Sequence, residues 1–345
     1  MTRLPTSAVS RHGARALLLL LAAILIASLY SSPQTRPLGA APARGEDDVS
    51  MYTAIVNRLS TGESYYEVLG AELRRRGYPT RPFFNWRTPL LFSAVAGAPG
   101  IARVVLIGLA LLLLAATVME LAPESPLVVL GGAIAQAGAI PIAFVPGSVV
   151  LHEVWTGVLI AVSVCLYLRR AWIPAALLGI LALFVRELAA PYCLVSGLLA
   201  IHARRWREVV VWACGAAAYA VYLAVHVHQV HGHAQPGDIA HLESWVQWGG
   251  LRFILSTLRW NGFLTAAPAW ATAVAFIVLL AGLIDRTLNL HLRLAVAAYL
   301  AFFAVAGHDF NNYWGAIPLL TYPLLFGYGL RSLDRLVRSA AAATP

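Results

Sequence analysis

Charged side chains are scarce in this chain: they make up 12% of its 345 residues, against 59% hydrophobic. An ordinary soluble domain carries about 25% charged residues and uses them as its surface. A chain with half that supply cannot coat a core with charge, which excludes a soluble globular protein. Lysine is missing altogether, so all 25 basic positions are arginine. The net charge of +9 does not indicate nucleic acid, because the arginines cluster at the ends of apolar runs, where they orient a membrane protein. Cysteine is limited to Cys165, Cys193 and Cys214, all inside apolar segments. Their spacing excludes a disulfide framework and a cysteine zinc site, leaving packing roles. No internal repeat and no phosphate-cradling glycine loop is present.

What is present is a succession of apolar runs near the 20 residues needed to cross a hydrocarbon layer. The first, 16–30, follows Arg3, Arg11 and Arg15. A signal peptide begins the same way, but the run reads as a retained anchor. A polar stretch, 31–100, comes next. Further candidate spans fall at 101–119, 127–145, 149–168, 172–185, 188–201, 209–227, 263–284, 294–307 and 313–330, so the expectation is an all-α polytopic bundle of ten spans. Alternate short connections should then be rich in arginine. With the N-terminus inside, the cytoplasmic side holds Arg169 and Arg170, then Arg204, Arg205 and Arg207, then Arg286 and Arg293, then Arg331, Arg335 and Arg338. One long helix over 172–201 would bury Arg186 and Glu187 in mid-membrane and invert this pattern, so two short helices meeting at the outer face are expected. The membrane domain divides into an anchor (1–30), an outer loop (31–100), spans 2–7 (101–227), a second outer loop (228–261), and spans 8–10 with a cytoplasmic tail (262–345).

This topology gathers the unusual polar residues on the extracytoplasmic side of an inner membrane. The first outer loop opens with Glu46, Asp47 and Asp48, followed by apolar Tyr52, Ile55, Val56 and Leu59 at helical spacing. Asp48 reads as a helix N-cap, worth about 1 kcal/mol. Two adjacent acids above a membrane can equally provide a general base that activates an acceptor hydroxyl or amine. The segment 74–89 concentrates five arginines and four aromatics, among them Arg81, Asn85, Trp86 and Arg87. Such a composition suits either phosphate and sugar binding or a lipid-headgroup collar. Charges within spans are costly and mark function by default. Arg186-Glu187, with His152-Glu153 and His308-Asp309 at comparable depth, are therefore candidate substrate-binding residues. Half of the ten histidines (His226, His228, His231, His233 and His241) fall in or beside the second loop. Their spacing supports a solvated or pH-responsive loop, and no metal site is placed there.

An N-terminal anchor followed by a long outer loop with adjacent acids and the continuation Asp47-Asp48-Val49-Ser50-Met51-Tyr52-Thr53-Ala54 resembles the multi-span glycosyltransferase superfamily of fold type C. That superfamily includes protein O-mannosyltransferases and aminoarabinose transferases. The resemblance implies a catalytic base at Asp47 or Asp48, and phosphate of a lipid-linked donor held by Arg81, Arg87 or Arg186. It implies transfer of a sugar, with inversion, from a polyprenyl-phosphate donor to an envelope glycan, lipid or protein. No cofactor is called for with certainty, and dependence on a divalent metal stays open. The chain departs from larger members in its short span count and in lacking a soluble C-terminal domain. The competing reading is a non-enzymatic transporter or lipid flippase whose buried charges line a path. The one-sided distribution of polar residues and the absence of an inverted repeat weigh against it.

Overall fold

The computed structural model describes residues 10–31, 48–240 and 247–342. Among them the chain is helical, without a named strand. In order come α1 (Arg11–Ser31), α2 (Asp48–Ser60), α3 (Tyr65–Arg75), α4 (Pro89–Gly97), α5 (Pro99–Leu121), α6 (Pro126–Ala139), α7 (His152–Leu168) and α8 (Trp172–Val185). Then follow α9 (Ala190–His202), α10 (Trp206–Gly232), α11 (Gly250–Leu258), α12 (Gly262–Ala266), α13 (Ala269–Ile284), α14 (Leu290–Val305), α15 (Ala316–Leu319) and α16 (Tyr322–Ala341). Four helical stretches, Arg11–Ser31, Pro99–Leu121, Pro126–Ala143 and Trp206–Gly232, are long and apolar enough to cross a membrane, and five shorter apolar helices accompany them. Large apolar side chains such as Ile101, Val104, Leu112, Val118 and Val221 are exposed along α5 and α10. A continuous apolar exterior of this kind suits lipid as solvent.

Proline explains most of the helix limits, because it lacks an N–H and its ring clashes with the carbonyl four residues earlier. Pro191 stops α8 from continuing into α9, and Arg186 between them is extended, with φ −151° and ψ 124°. The expected pair of short helices is therefore present. Pro268 divides the expected 263–284 run into α12 and α13, and Pro141 ends α6 before the expected limit of 145. The expected run 313–330 is displaced: a 3₁₀ stretch, Asp309–Gly315, and α15 precede α16, which begins beside Pro323 and continues to Ala341. Helix α10 meets no breaker until Gly232, so His228 and His231 are helical instead of lying in a loop. The described part of the first long loop is folded as α2, α3 and α4, with α2 packing on α4 and α3.

Helix α7 is apolar on nearly all sides and is buried over nearly its whole length, making it the centre of the bundle. On one side, α16 is held between α6 and α13 by close approach at glycines. A Cβ added at Gly329 would lie 2.0 Å from the Val278 carbonyl oxygen, whereas one at Gly108 would meet nothing within 4 Å. Gly329→Ala is accordingly expected to force the helices apart and cost about 1–3 kcal/mol. Gly108→Ala should be neutral or stabilising by about 0.5–1 kcal/mol, since glycine is the poorer helix former. Melting of the two variants in detergent checks this, and equal midpoints would count against the packing.

Two ends of the bundle differ in character. At one, Arg331 bridges Glu124 (2.7 Å) and Asp285 (3.3 Å), and Ser332 donates to Asp285 at 3.0 Å. Arg15 of α1 donates to the Ala340 carbonyl at 3.3 Å, so the start of α1 and the end of α16 share this end. At the other, α2 and α4 pack on the segment before α7, Phe92 of α4 packs on His152, and Thr88 bonds to the Phe184 carbonyl near the end of α8.

Candidate functional site

A cavity of about 240 Å³ opens where α2 meets the N-terminus of α7 and the residues around Trp260 and 312–316. Its polar wall comprises Asp48, Tyr52, Glu153, Asn312 and Tyr313. Asp48 lies in the first turn of α2, and Asp47 lies outside the described residues. Instead of capping, Asp48 accepts a hydrogen bond at 2.6 Å from the hydroxyl of Tyr78. Burial, reinforced by that bond, pushes the Tyr78 phenol well above its ordinary range. Tyr78 therefore remains the donor, and Asp48 keeps its second oxygen for other partners.

Behind the wall lies a charge cluster of Arg87, Glu153, Arg186 and Glu187. Glu153 enters the first turn of α7, where the positive end of the helix favours an acid. Its Oε1 lies 3.0 Å from Nε of Arg186 and 3.9 Å from Nη2 of Arg87. Nη1 of Arg186 is 2.6 Å from Glu187, a half-buried residue. The side chains of Glu153 and Arg186 are each 3% exposed, so neither charge is relieved by water. Their contacts are close as ions but not aligned as hydrogen bonds: Oε1 of Glu153 and Nε and Nη1 of Arg186 have no hydrogen-bond partner among the described residues. Coulomb attraction holds the group together while bonding capacity stays unmet.

Arg87 is fixed by neutral oxygens. It donates to the hydroxyls of Tyr52 at 3.1 Å and Tyr313 at 3.2 Å, both on the cavity wall. Burial raises the Tyr52 phenol well above its ordinary range, although Arg87 pulls the other way, so Tyr52 presents a protonated dipole and no charge. The backbone around Arg87 is clamped on each side. Trp86 O pairs with His226 Nε2 at 3.0 Å, Arg87 O accepts from Tyr65 OH at 2.7 Å, and Leu90 N donates to Tyr222 OH at 3.1 Å.

The candidates read from sequence thus separate. Asp48 and Glu153 line the cavity, and Arg87, Arg186 and Glu187 gather behind its wall around Glu153. His152 stands behind it, fully buried against Phe92 at 4.5 Å and Tyr52 at 6.0 Å. Trp86 is buried and donates to Thr80 O, and Asn85 donates to Arg81 O, both local contacts. Arg81 is exposed and joins Ile239 and Ala240 through its backbone. His308 stacks on Phe310 at 4.9 Å, and exposed Asp309 pairs with exposed Arg252 at 3.3 Å. The other arginines of 74–89 are consumed structurally. Arg74 binds Asp238, while Arg75 and Arg76 converge on Glu72. Burial pushes the Glu72 carboxyl up, but hydrogen bonds from Arg75 and Arg76 prevail and hold it below its ordinary value.

Tyr78, Trp260, Asn312 and Tyr313 complete the site without having been singled out in the sequence. The run Asn311-Asn312-Tyr313-Trp314-Gly315 beside His308-Asp309 was the available signal for two of them. Among the histidines, His231 and His233 bond to carbonyls one helical turn back, and His241 lies outside the described residues. Among the described residues no group of three His, Cys, Asp or Glu is arranged to hold a metal ion. Comparison with protein-family models, curated proteins and solved structures gives no match.

Proposed function

We propose that this protein is a membrane glycosyltransferase of the fold type C kind, moving a sugar from a polyprenyl-phosphate donor to an extracytoplasmic acceptor with inversion. The observation that carries the reading is one cavity bordered by the Asp48 carboxylate and backed by the buried Arg87–Glu153–Arg186 group. Inversion requires an acceptor hydroxyl to attack the anomeric carbon opposite the departing phosphate. Asp48 takes the hydroxyl proton, the new C–O bond forms, and the bond to phosphate oxygen breaks with its electron pair leaving on phosphate. Arg87 is assigned to that phosphate because its nearest carboxylate is 3.9 Å away, whereas Arg186 is engaged by Glu153 and Glu187 at 3.0 and 2.6 Å. Preorganised charge at the position where charge develops lowers the barrier without reorganisation. Val49, Leu151 and Val154 give the cavity an apolar side suited to a prenyl chain. The test is loss of label from a radiolabelled polyprenyl-phosphate sugar in vesicles containing the purified protein and envelope acceptors. No consumption above that of empty vesicles would sink the proposal.

In this reading α1, α5–α10, α13, α14 and α16 are the ten membrane spans, and the cavity faces outward. The arginines at 169–170, 204–207, 286, 293 and 331–338 then mark the cytoplasmic side. Reporter fusions after Arg207 and after Gln235, at the two ends of α10, are expected to fall in opposite compartments. An impermeant thiol reagent should label Glu187→Cys from outside intact cells. Both fusions in one compartment, or labelling only after permeabilisation, would overturn the orientation.

A further inference from the structure

A second opening, a cleft of about 480 Å³, lies beside α3 at the C-terminal end of α10. It is twice the volume of the inner cavity and within the range of roughly 300–1,000 Å³ usual for ligand sites. Tyr65 and Tyr66 connect the two openings. Tyr65 OH donates to the carbonyl of Arg87, while the ring of Tyr66 lines the cleft.

The charge in the cleft argues against an anionic ligand. Arg74, the cation in its wall, gives Nε and Nη2 to the two oxygens of Asp238 at 2.7 and 3.1 Å, and Nη2 also to the His233 carbonyl at 2.8 Å. Hydrogen bonding from Arg74 holds the Asp238 carboxyl down to about 2, so the pair is ionised and mutually neutralised at any working pH. What stays free is of another kind. Glu67 and the side-chain amide of Gln235 line the cleft, exposed and without hydrogen-bond partners among the described residues. The Tyr66 ring borders the cleft, with its centroid 5.6 Å from that of His226 and 5.6 Å from that of His233. Burial raises the Tyr66 phenol to about 12, and its hydroxyl lies 3.1 Å from His226 Nδ1. The tyrosine is thus held in place with its ring at the cleft wall. An aromatic face flanked by an uncommitted carboxylate and amide suits a ligand with alternating C–H faces and hydroxyls.

We propose that this cleft binds a neutral saccharide and, in the transfer reaction above, serves as the acceptor glycan's docking subsite. The acceptor role rests on the proposed glycosyl transfer; saccharide binding does not. Acceptor choice would then fall to an envelope glycan, since a lipid or a folded protein offers the cleft fewer hydroxyls. A side-chain relay from the Tyr66 hydroxyl through the His226 ring ends on the Trp86 carbonyl, one residue from Arg87.

Oligosaccharides released from the source cell's envelope, fluorescently tagged at their reducing ends and fractionated by charge, provide the probe. Passed over the immobilised full-length protein in detergent, a neutral fraction is expected to be retained. Tyr66→Ala and Glu67→Ala should each cut retention at least tenfold. Gln235→Ala, at an exposed position, tests the site with little risk to folding and should cut it severalfold. Gel filtration and melting verify that the variants are folded. Retention of only phosphorylated or carboxylated fractions, of none, or equally by wild type and all three variants would overturn the saccharide site. Retention of a neutral fraction alongside no consumption of polyprenyl-phosphate sugar would keep the site and overturn the transfer reaction.

Discussion

Replacing Arg186 with leucine is expected to destabilise the folded protein by about 3–5 kcal/mol, because it strands a buried carboxylate. Glu153 is 3% exposed, and its remaining cation, Arg87, is 3.9 Å away and already committed to two tyrosine hydroxyls. Arg186→Lys should be intermediate, since a single ammonium cannot address Glu153 through one nitrogen and Glu187 through another as the guanidinium does. Pairing Arg186→Leu with Glu153→Gln should recover much of the loss by removing the stranded charge. The natural comparison is Arg252→Leu. That arginine also pairs with an acid, Asp309 at 3.3 Å, but the side chains are 65% and 72% exposed. An exposed pair contributes about 0–1 kcal/mol, so its loss should scarcely move the unfolding midpoint. Equal effects of Arg186→Leu and Arg252→Leu in denaturant titrations of detergent-solubilised protein would show that the inner cluster is not electrostatically strained.

The contrast between those two pairs illustrates what the sequence made legible. Arg186-Glu187 and His308-Asp309 look alike in one dimension: each is a polar pair at the end of an apolar run. Arg186 and His308 are both buried, but Glu187 is half-buried where Asp309 is exposed, and that difference depends on what packs over the turn. Thr88, just before α4, bonds to the carbonyls of Phe184 and Val185 beside the first pair, while Asp309 is exposed. The helix break around Arg186 was legible from the short flanking apolar lengths and the arginines beyond them, and Pro191 is its local cause. The path of the last helix was not, because residues 313–330 are apolar enough for one span, and only Pro318 and Pro323 with the contacts of Arg331 move the helix toward the C-terminus. The arginines of 74–89 were legible as a cluster but not as a division of labour. Asp238, which occupies Arg74, lies 164 residues away in sequence. Tyr78 was invisible as a site residue for the same reason: its role is set by a partner 30 residues away, Asp48, and by no spacing within a helix.

Asp48→Asn is expected to leave protein abundance and melting nearly unchanged. An asparagine oxygen can still accept the bond from Tyr78 OH, now 2.6 Å to Oδ1, and the loss of negative charge at the start of α2 is worth about 0.3–1 kcal/mol. Catalysis responds differently, because an amide cannot take the acceptor's proton at neutral pH. Removal of a general base typically slows a reaction about 100- to 10,000-fold, and sugar transfer by this variant should fall by that factor. Tyr78→Phe gives the graded control: it keeps the carboxylate but releases the oxygen that Tyr78 occupies, so transfer should change far less than in Asp48→Asn. Asp47→Asn addresses the neighbouring acid in the same assay. If Asp47 serves only as the cap preceding α2, asparagine should replace it at a cost of no more than a few tenths of a kcal/mol, with transfer intact. Loss of transfer in Asp47→Asn with full activity in Asp48→Asn would move the base by one residue. Full transfer in both single variants and in the double variant would remove the catalytic assignment altogether and return the buried charges to the competing role of lining a transport path.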